Sequence, residues 1–313
     1  MNKKYLVTGG TGFIGRSLVS ALIKKGYDVT VLDNESRGSF EKFGKVAEEL
    51  KFIKGDIRDK EVVLKACKNI NSVVHLAYIN GTENFYKKPD LVLDVGVKGM
   101  LNVIDASISN NVEELFLASS SEVYNNPSCI PTPENVPLII PDPLNPRYSY
   151  AGGKMISELL VLNNSKHFKK TIIFRPHNVY GPAMGYEHVI PQFIMKMKAL
   201  SKDAKFPIQG DGLQSRAFIY IDDFTAGLMN VLQKGKDREI YHIGTSDEIS
   251  IKDLAFTIAK LFDIKITIVA GELTQGSPER RCPDITKIKK LGFQPKIHLE
   301  QGLRKTIDWY ITH

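Results

Sequence analysis

Tyr150 and Lys154 lie one helical turn apart, a spacing that puts both side chains on one face of a helix. A phenol titrates near ~10 and is a poor base at neutral pH, but a neighbouring ammonium favours its phenolate. A phenolate so placed can take the proton of a hydroxyl while the carbon that bears it gives up a hydride. The pair is the only Tyr-x-x-x-Lys among 12 tyrosines, and one match is expected by chance, so position has to decide. Ser119-Ser120-Ser121-Glu122 follows the apolar run Leu115–Ala118, which reads as a buried strand. Open α/β sheets place their ligands at such carboxyl ends, and a hydroxyl there can hold a substrate oxygen near the tyrosine. Without Tyr150 and Lys154 the same serines would read as a turn. Glu122 reads equally as an acid/base group and as a helix-start carboxylate.

A second constellation stands at the N-terminus. Thr8-Gly9-Gly10-Thr11-Gly12-Phe13-Ile14-Gly15 closes a first strand, Tyr5-Leu6-Val7, and opens a first helix. Gly9, Gly12 and Gly15 allow a tight turn, close approach of backbone N–H groups to a pyrophosphate, and close helix–strand packing. The helix N-terminus adds a field that favours the anion. A glycine triplet alone is a weak signal, but this one sits between strand and helix as the mechanism requires. Asp33 ends the second strand, where a carboxylate can accept both ribose hydroxyls of an adenosine and repel a 2′-phosphate. NAD is therefore expected over NADP, with Arg37 the one residue that could balance a phosphate. Asn34, Ser36 and Arg37 on the loop after Asp33, Asp56 and Ile57 after the third strand, and Leu76, Ala77 and Tyr78 after the fourth complete the expected cofactor crevice. An oxidised nicotinamide beside Tyr150 would favour the phenolate further and accept the hydride.

The elements that must hold these groups follow from apolar periodicity. Asp28–Asp33, Phe52-Ile53, Val73–Leu76, Leu115–Leu117 and Thr171–Phe174 read as buried strands, with helices at 92–110 and 151–168 among those between them. Continuous apolar strands alternating with helices predict an α/β fold, a Rossmann-like doubly wound parallel sheet. The NAD-binding domain is expected over 1–175, with return segments near 213–243. Residues 176–313, richer in Gly and Pro, are expected to form mainly a smaller mixed α/β substrate lobe.

The chain has 313 residues, 42% apolar and 25% charged, within the globular range. No apolar run approaches the ~20 residues of a membrane helix, and the start shows no secretion signal. Three widely spaced cysteines without a CxxC point away from a disulfide framework or metal site and toward a cytoplasmic protein. The net charge of +7 comes from scattered lysines rather than a stripe, so neither a nucleic-acid nor a membrane partner is expected.

With these motifs assembled, the sequence resembles the extended short-chain dehydrogenase/reductase family, and within it the nucleotide-sugar epimerases and dehydratases. TGGTGFIG at 8–15, HLA at 75–77, SSSEVY at 119–124, YAGGK at 150–154, RPHNVYGP at 175–182, GDGLQSRAF at 210–218 and RRCPD at 280–284 carry the resemblance. It implies a Ser-Tyr-Lys set at Ser120, Tyr150 and Lys154, with Ser121 and Glu122 acting in later steps. It further implies cofactor contacts at Ser119 and His177 and sugar or diphosphate contacts at Asn178. Arg216 and Arg281 fall where arginines clamp the diphosphate, Asp284 where a nucleoside ribose is met, and Glu187, His188 and Val189 in the loop that covers the base. A homodimer through the helices that begin near Val92 and Ala151 is also implied.

The sequence departs from the family at Gly96, Asn125, Gly153 and Ala217, none of them in the Ser-Tyr-Lys set. The dehydratase Asp-Glu pair reads Ser121-Glu122, whereas a decarboxylase carries Ser-Glu with an arginine like Arg281. The segment at 210–218 is similar to that of GDP-mannose epimerases, and the whole pattern resembles GDP-manno-heptose 4-dehydrogenases of bacterial capsule synthesis. The resemblance thus implies NAD-dependent C4 oxidation of a GDP-linked hexose or heptose released as the 4-keto sugar. A UDP- or GDP-sugar 4-epimerase is the alternative, ahead of a 4,6-dehydratase, a decarboxylase or an NAD-binding sensor without turnover.

Overall fold

The structure, a computed structural model, describes residues 2–200, 203–272 and 278–313. Seven strands form one parallel sheet: β1 (Lys4–Thr8), β2 (Asp28–Asp33), β3 (Leu50–Lys54), β4 (Ser72–His75), β5 (Glu114–Ala118), β6 (Lys170–Pro176) and, after four strands of the other lobe, β11 (Glu239–Ile243). Their order is β3-β2-β1-β4-β5-β6-β11. The chain leaves β1 in one direction for β2 and β3 and later returns to the other side of β1 with β4. The crevice of a doubly wound sheet opens at that reversal.

Alternation along each strand sends neighbours to opposite faces. Tyr5 and Val7 pack with Val31 and Val74 under α1 (Phe13–Lys24). Leu6, Leu32 and Val73 pack on the other face under α2 (Lys60–Ala66). The helices α3 (Thr82–Lys87), α4 (Pro89–Leu93), α5 (Gly99–Ser109) and α6 (Tyr148–Asn163) follow, and Val103 and Val161 join the second cluster. Between them α7 (Val189–Lys198) enters the second lobe, and α8 (Ile221–Lys234) returns to cover the first face with Leu228 and Val231. Both faces are dry, which is why the strands read as unbroken apolar runs.

The helix expected at 92–110 begins earlier, because Pro89 supplies the φ of a first helical turn. A π turn, Asp94–Lys98, interrupts it. The helix expected at 151–168 runs instead from Tyr148 to Asn163. It stops where the Asn164 amide folds back on the Leu160 carbonyl at 2.8 Å, and a short 3-10 turn, Ser165–His167, follows.

Among the described residues, the part of the chain that lies mostly after β6 holds three small sheets. They pair β7 (Val179–Tyr180) with β10 (Ile219–Tyr220), β8 (Ala204–Ile208) with β13 (Ile266–Ala270), and β9 (Ser215–Ala217) with β12 (Glu248–Ser250) and β14 (Arg280–Arg281). The helices α9 (Ile251–Leu261), α10 (Thr286–Lys289) and α11 (Leu299–Thr312) complete it. Arg216 of β9 and Arg281 of β14 are register partners, so the sheet sets two arginines side by side.

Candidate active site

The glycine turn is built for close approach. Gly9 has φ +71°, and a Cβ there would lie 2.7 Å from the Ala77 nitrogen. A Cβ on Gly15 would overlap the Gly9 carbonyl, so α1 can start this close to β1 only with glycine. Gly12 caps α1, and Phe13 and Ile14 are its first residues. Asp33 ties the turn to β2: its carboxylate accepts the Thr11 N–H at 2.9 Å and the Glu35 N–H at 2.7 Å. The Thr11 hydroxyl is buried without a partner, an orphaned polar atom in the crevice that a polar ligand would satisfy. The close-packed turn and this orphaned donor fit a dinucleotide.

Around the turn, Asn34 accepts the Ser36 N–H at 3.0 Å and donates to Asp56 at 3.2 Å. Arg58 bonds Asp56 at 2.8 Å and holds its carboxyl down at about 2. Ile57 is buried against Gly99. Arg37 points away from Asp33. It donates to the Asn80 carbonyl at 3.1 Å and pairs with Glu187 at 2.6 Å, joining the loop after β2 to the loop before α7. His188 caps α7 and Val189 begins it. The guanidinium that could have balanced a 2′-phosphate is thus committed elsewhere.

The Ser-Tyr-Lys residues converge at the carboxyl ends of β4 and β5. Ser120 caps the short 3-10 turn Ser121–Tyr124, accepting the Glu122 N–H at 3.1 Å, and hydrogen bonds Tyr150. Ser121 is buried in the same turn. The Tyr150 ring stacks on Phe85 at 4.7 Å and meets Tyr78 edge-on at 5.1 Å. Lys154 donates to the Ala118 carbonyl at 2.6 Å, its nitrogen 3.9 Å from the Tyr78 ring centre and 5.8 Å from that of Tyr150.

Burial changes the electrostatics expected from sequence. It pushes Tyr150 up to about 12, against the Ser120 hydrogen bond, and brings Lys154 down to about 7, against the pull of Glu158. The i,i+4 pair alone therefore leaves the phenol protonated. A cationic ring beside it is what shifts the balance toward phenolate.

Glu122 sits among arginines. It pairs with Arg281 at 2.7 Å and lies 4.0 Å from Arg147. Burial alone would raise its carboxyl, but Arg281, Arg147 and Arg216 outweigh that and hold it below its usual range. Burial, with Arg281 alongside, brings Arg216 down to about 9. Arg216 also donates to the Ser215 carbonyl at 2.7 Å. Asn178, at φ +41°, donates to the Ala217 carbonyl at 3.2 Å and so links β6 to β9. The Asp284 carboxylate accepts the Thr286 N–H at 2.8 Å.

Beneath the serines lies a buried network that the quoted motifs name only in part. Arg175 pairs with Glu158 at 2.6 Å, both nearly inaccessible, and Glu158 accepts from the Ser119 hydroxyl. Tyr124 bonds Arg175 and meets His242 at 2.5 Å. Both ring nitrogens of His177 are buried without partners, and burial keeps the ring neutral. Sequence reasoning missed Phe85, Arg147, Glu158 and His242. Only Glu158 carried a signal, a charged residue one turn beyond Lys154 on the same helix face.

A parallel sheet with a glycine turn at its reversal point, and Ser120, Tyr150 and Lys154 at its carboxyl edge, give the layout of an NAD-dependent enzyme of the extended short-chain dehydrogenase/reductase type. The NAD dependent epimerase/dehydratase family matches residues 5–244, and the chain belongs to it. It is 31% identical to a UDP-N-acetyl-alpha-D-glucosaminuronate decarboxylase of Bacillus cytotoxicus, over 99% of this chain and 98% of that one. It is 33% identical to the human dTDP-D-glucose 4,6-dehydratase, over 98% and 90%. A UDP-glucose 4-epimerase of Thermotoga maritima with UDP-glucose superposes with a TM-score of 0.87 at 28% identity, covering 99% of both chains. A decarboxylase, a dehydratase and an epimerase are thus among the proteins this chain is similar to. Among the described residues no helix is long and apolar enough to cross a membrane.

Proposed function

We propose that this chain oxidises C4 of a nucleoside-diphosphate sugar and returns the hydride to the opposite face, a 4-epimerisation with bound NAD. Gly9, Gly12, Gly15 and Asp33 would hold NAD by its pyrophosphate and adenosine ribose, and its nicotinamide, lying beside Tyr150, would supply the hydride acceptor and donor. Tyr150 takes the C4 hydroxyl proton and gives it back, Ser120 orients that oxygen, and Lys154 supplies positive charge at the phenol. Arg216 and Arg281 offer forked donors to the diphosphate.

One observation carries the choice of epimerisation over dehydration: Glu122 is clamped by Arg281 and flanked by Arg147. Elimination of water needs a general acid for the leaving hydroxyl, and a carboxylate held in its ionised form is a poor one. Chemistry confined to C4 needs only Tyr150. Net oxidation of a GDP-sugar, with the 4-keto product released, is the second reading. It is supported by the likeness of the segment at 210–218 to that of GDP-sugar enzymes. A homodimer is also part of the proposal, through α5 and α6, which expose Leu101, Ile156 and Leu159.

The test incubates the protein with NAD and UDP-glucose, UDP-glucuronate, dTDP-glucose, GDP-mannose or a GDP-heptose, following product mass and NADH. An isobaric product inverted at C4 is the expected result. Loss of two mass units with accumulating NADH replaces it by the dehydrogenase. Loss of water or of carbon dioxide overturns both.

A further inference from the structure

Tyr78 follows β4, and its side chain enters the interface of two helices. Its hydroxyl reaches the backbones of Gly96 and Gly153, where a Cβ on either glycine would overlap it. Gly96 lies in the π turn between α4 and α5, Gly153 one residue before Lys154 in α6. A π turn spreads the local backbone, and glycine keeps the space open. The slot is therefore made by two glycines from separate segments. What it holds is a phenol whose hydroxyl is buried with no partner. Burying an unpaired hydroxyl costs about 1–3 kcal/mol, so the ring is not there for its oxygen.

The ring touches the two residues that matter. Its face lies 3.9 Å from the Lys154 nitrogen, and it stands edge-on to Tyr150 at 5.1 Å and 84°. An ammonium over an aromatic face is attracted by the ring quadrupole, most strongly when desolvated. Lys154 is 2% exposed, and among the described residues its hydrogen bond goes to the Ala118 carbonyl. The other titratable groups facing it are Glu158 one turn on in α6, His75 at the end of β4, and Tyr150. His75 is neutral, and Glu158 is engaged by Arg175. The Tyr78 face is the closest polarisable partner left to the ammonium.

We propose that Tyr78 is a positioning residue for the catalytic pair: its ring seats the Lys154 ammonium and braces Tyr150, in a slot that exists because residues 96 and 153 are glycine. The role of the pair itself rests on the proposed sugar oxidation; the seating of the lysine does not. The two are therefore tested by different readouts.

Lysine labelled with carbon-13 at Cε reports each ammonium's titration midpoint by NMR, and Lys154 is assigned by the signal lost in Lys154→Met. Tyr78→Phe keeps the face and drops the unpaired hydroxyl, so the Lys154 midpoint is expected to stay where it is, with a melting temperature equal to wild type or higher. Tyr78→Leu removes the face, and the midpoint is expected to fall by about half a pH unit or more. Equal midpoints in the Phe and Leu variants overturn the proposal. The slot is checked separately. Gly96→Ala is expected to lower the melting temperature in the wild-type background and to recover when combined with Tyr78→Leu, which removes the atoms that a Cβ at 96 meets. No recovery overturns the steric half. This second measurement also decides the matter should Tyr78→Leu alone fold poorly. A shifted Lys154 midpoint in a protein that oxidises no sugar nucleotide sinks the proposed function and leaves the seating intact.

Discussion

Around Tyr150 the neighbours are rings: Phe85 stacked on it, Tyr78 edge-on, and the Lys154 ammonium held against Tyr78. Around Glu122 they are guanidiniums: Arg281 in contact, Arg147 at 4.0 Å, and Arg216 beside Arg281 in the next strand. The aromatic nest comes from 78–85 and 150–154, next to the sheet. The ionic cluster comes from 122, 147, 216 and 281, drawn from both lobes. Burial has opposite results in the two. It leaves the acid of the first region protonated and its base close to neutral, whereas in the second the arginines overcome it and keep the carboxylate charged. A dry aromatic site stores a proton that an arriving cation can release. A cation-lined site is matched to an anion such as a diphosphate.

The sharpest way to break this division is at Tyr150. Tyr150→Phe keeps the stacking with Phe85 and the glycine turn, and removes only the acid. Turnover of the sugar nucleotide processed by wild type is expected to fall by about 10²–10⁴-fold while NAD affinity, followed by fluorescence titration, is unchanged. Sugar oxidation at the wild-type rate would mean that the proton goes elsewhere and that the aromatic nest is packing alone.

The next effect lies beneath both regions. Arg175 and Glu158 form a buried ion pair that supports Ser119 on one side and Tyr124 on the other. Arg175→Ala leaves a buried carboxylate unpaired, and urea unfolding is expected to show a loss of about 3–5 kcal/mol. A loss below about 1 kcal/mol would mean that water replaces the guanidinium and that the network is not dry.

Lys154 gives a pH dependence with a definite sign. Its folded value, about 7, lies below the 10.5 of the unfolded chain, so between those values the unfolded state binds more protons. Stability relative to Lys154→Met therefore rises with pH across that window, by up to about 1.4 kcal/mol per unit, and is flat below it. Urea melts of both proteins at pH 6, 7.5 and 9 measure this. A difference that does not change with pH would place the lysine in contact with solvent and dissolve the contrast between the two regions.

The contrast also explains what could be read in advance. The glycine turn, Asp33, the segment Ser119–Glu122, Tyr150 and Lys154 are local in sequence or repeat the strand–helix rhythm, so periodicity and spacing pointed to them, and the family resemblance singled out Ser120. Six of the seven parallel strands were legible for the same reason, because their buried faces leave apolar runs such as Tyr5-Leu6-Val7, whereas Glu239–Ile243 was expected only as part of a return segment. Charge balance at Glu122 was not legible. It depends on Arg147 and Arg281 arriving from positions 25 and 159 residues away, and no pattern in one sequence encodes that meeting. The burial that raises Tyr150 was not legible for a related reason: spacing gives the ammonium's direction but not the desolvation that opposes it. Tyr78 read as a cofactor neighbour, since the glycines that admit its ring lie 18 and 75 residues downstream.

The smallest effect is expected where the two lobes meet at the surface. Arg37 and Glu187 are in contact at 2.6 Å, yet each side chain keeps about a third of its area exposed, 31% and 34%. Solvent screens such a pair and ordering two long side chains opposes it, so Arg37→Ala is expected to change folding stability by less than about 1 kcal/mol. The pair nevertheless joins the loop after Asp33 to the loop before α7, two segments that otherwise belong to different lobes. Its loss is therefore expected to appear in ligand binding rather than in unfolding. Weaker binding of the sugar nucleotide, with the urea midpoint unchanged and the effect diminished at high salt, would assign it to holding the loops together. Unchanged binding at low salt would leave it as an ordinary surface contact, and would confine the working electrostatics of the second region to the three arginines around Glu122.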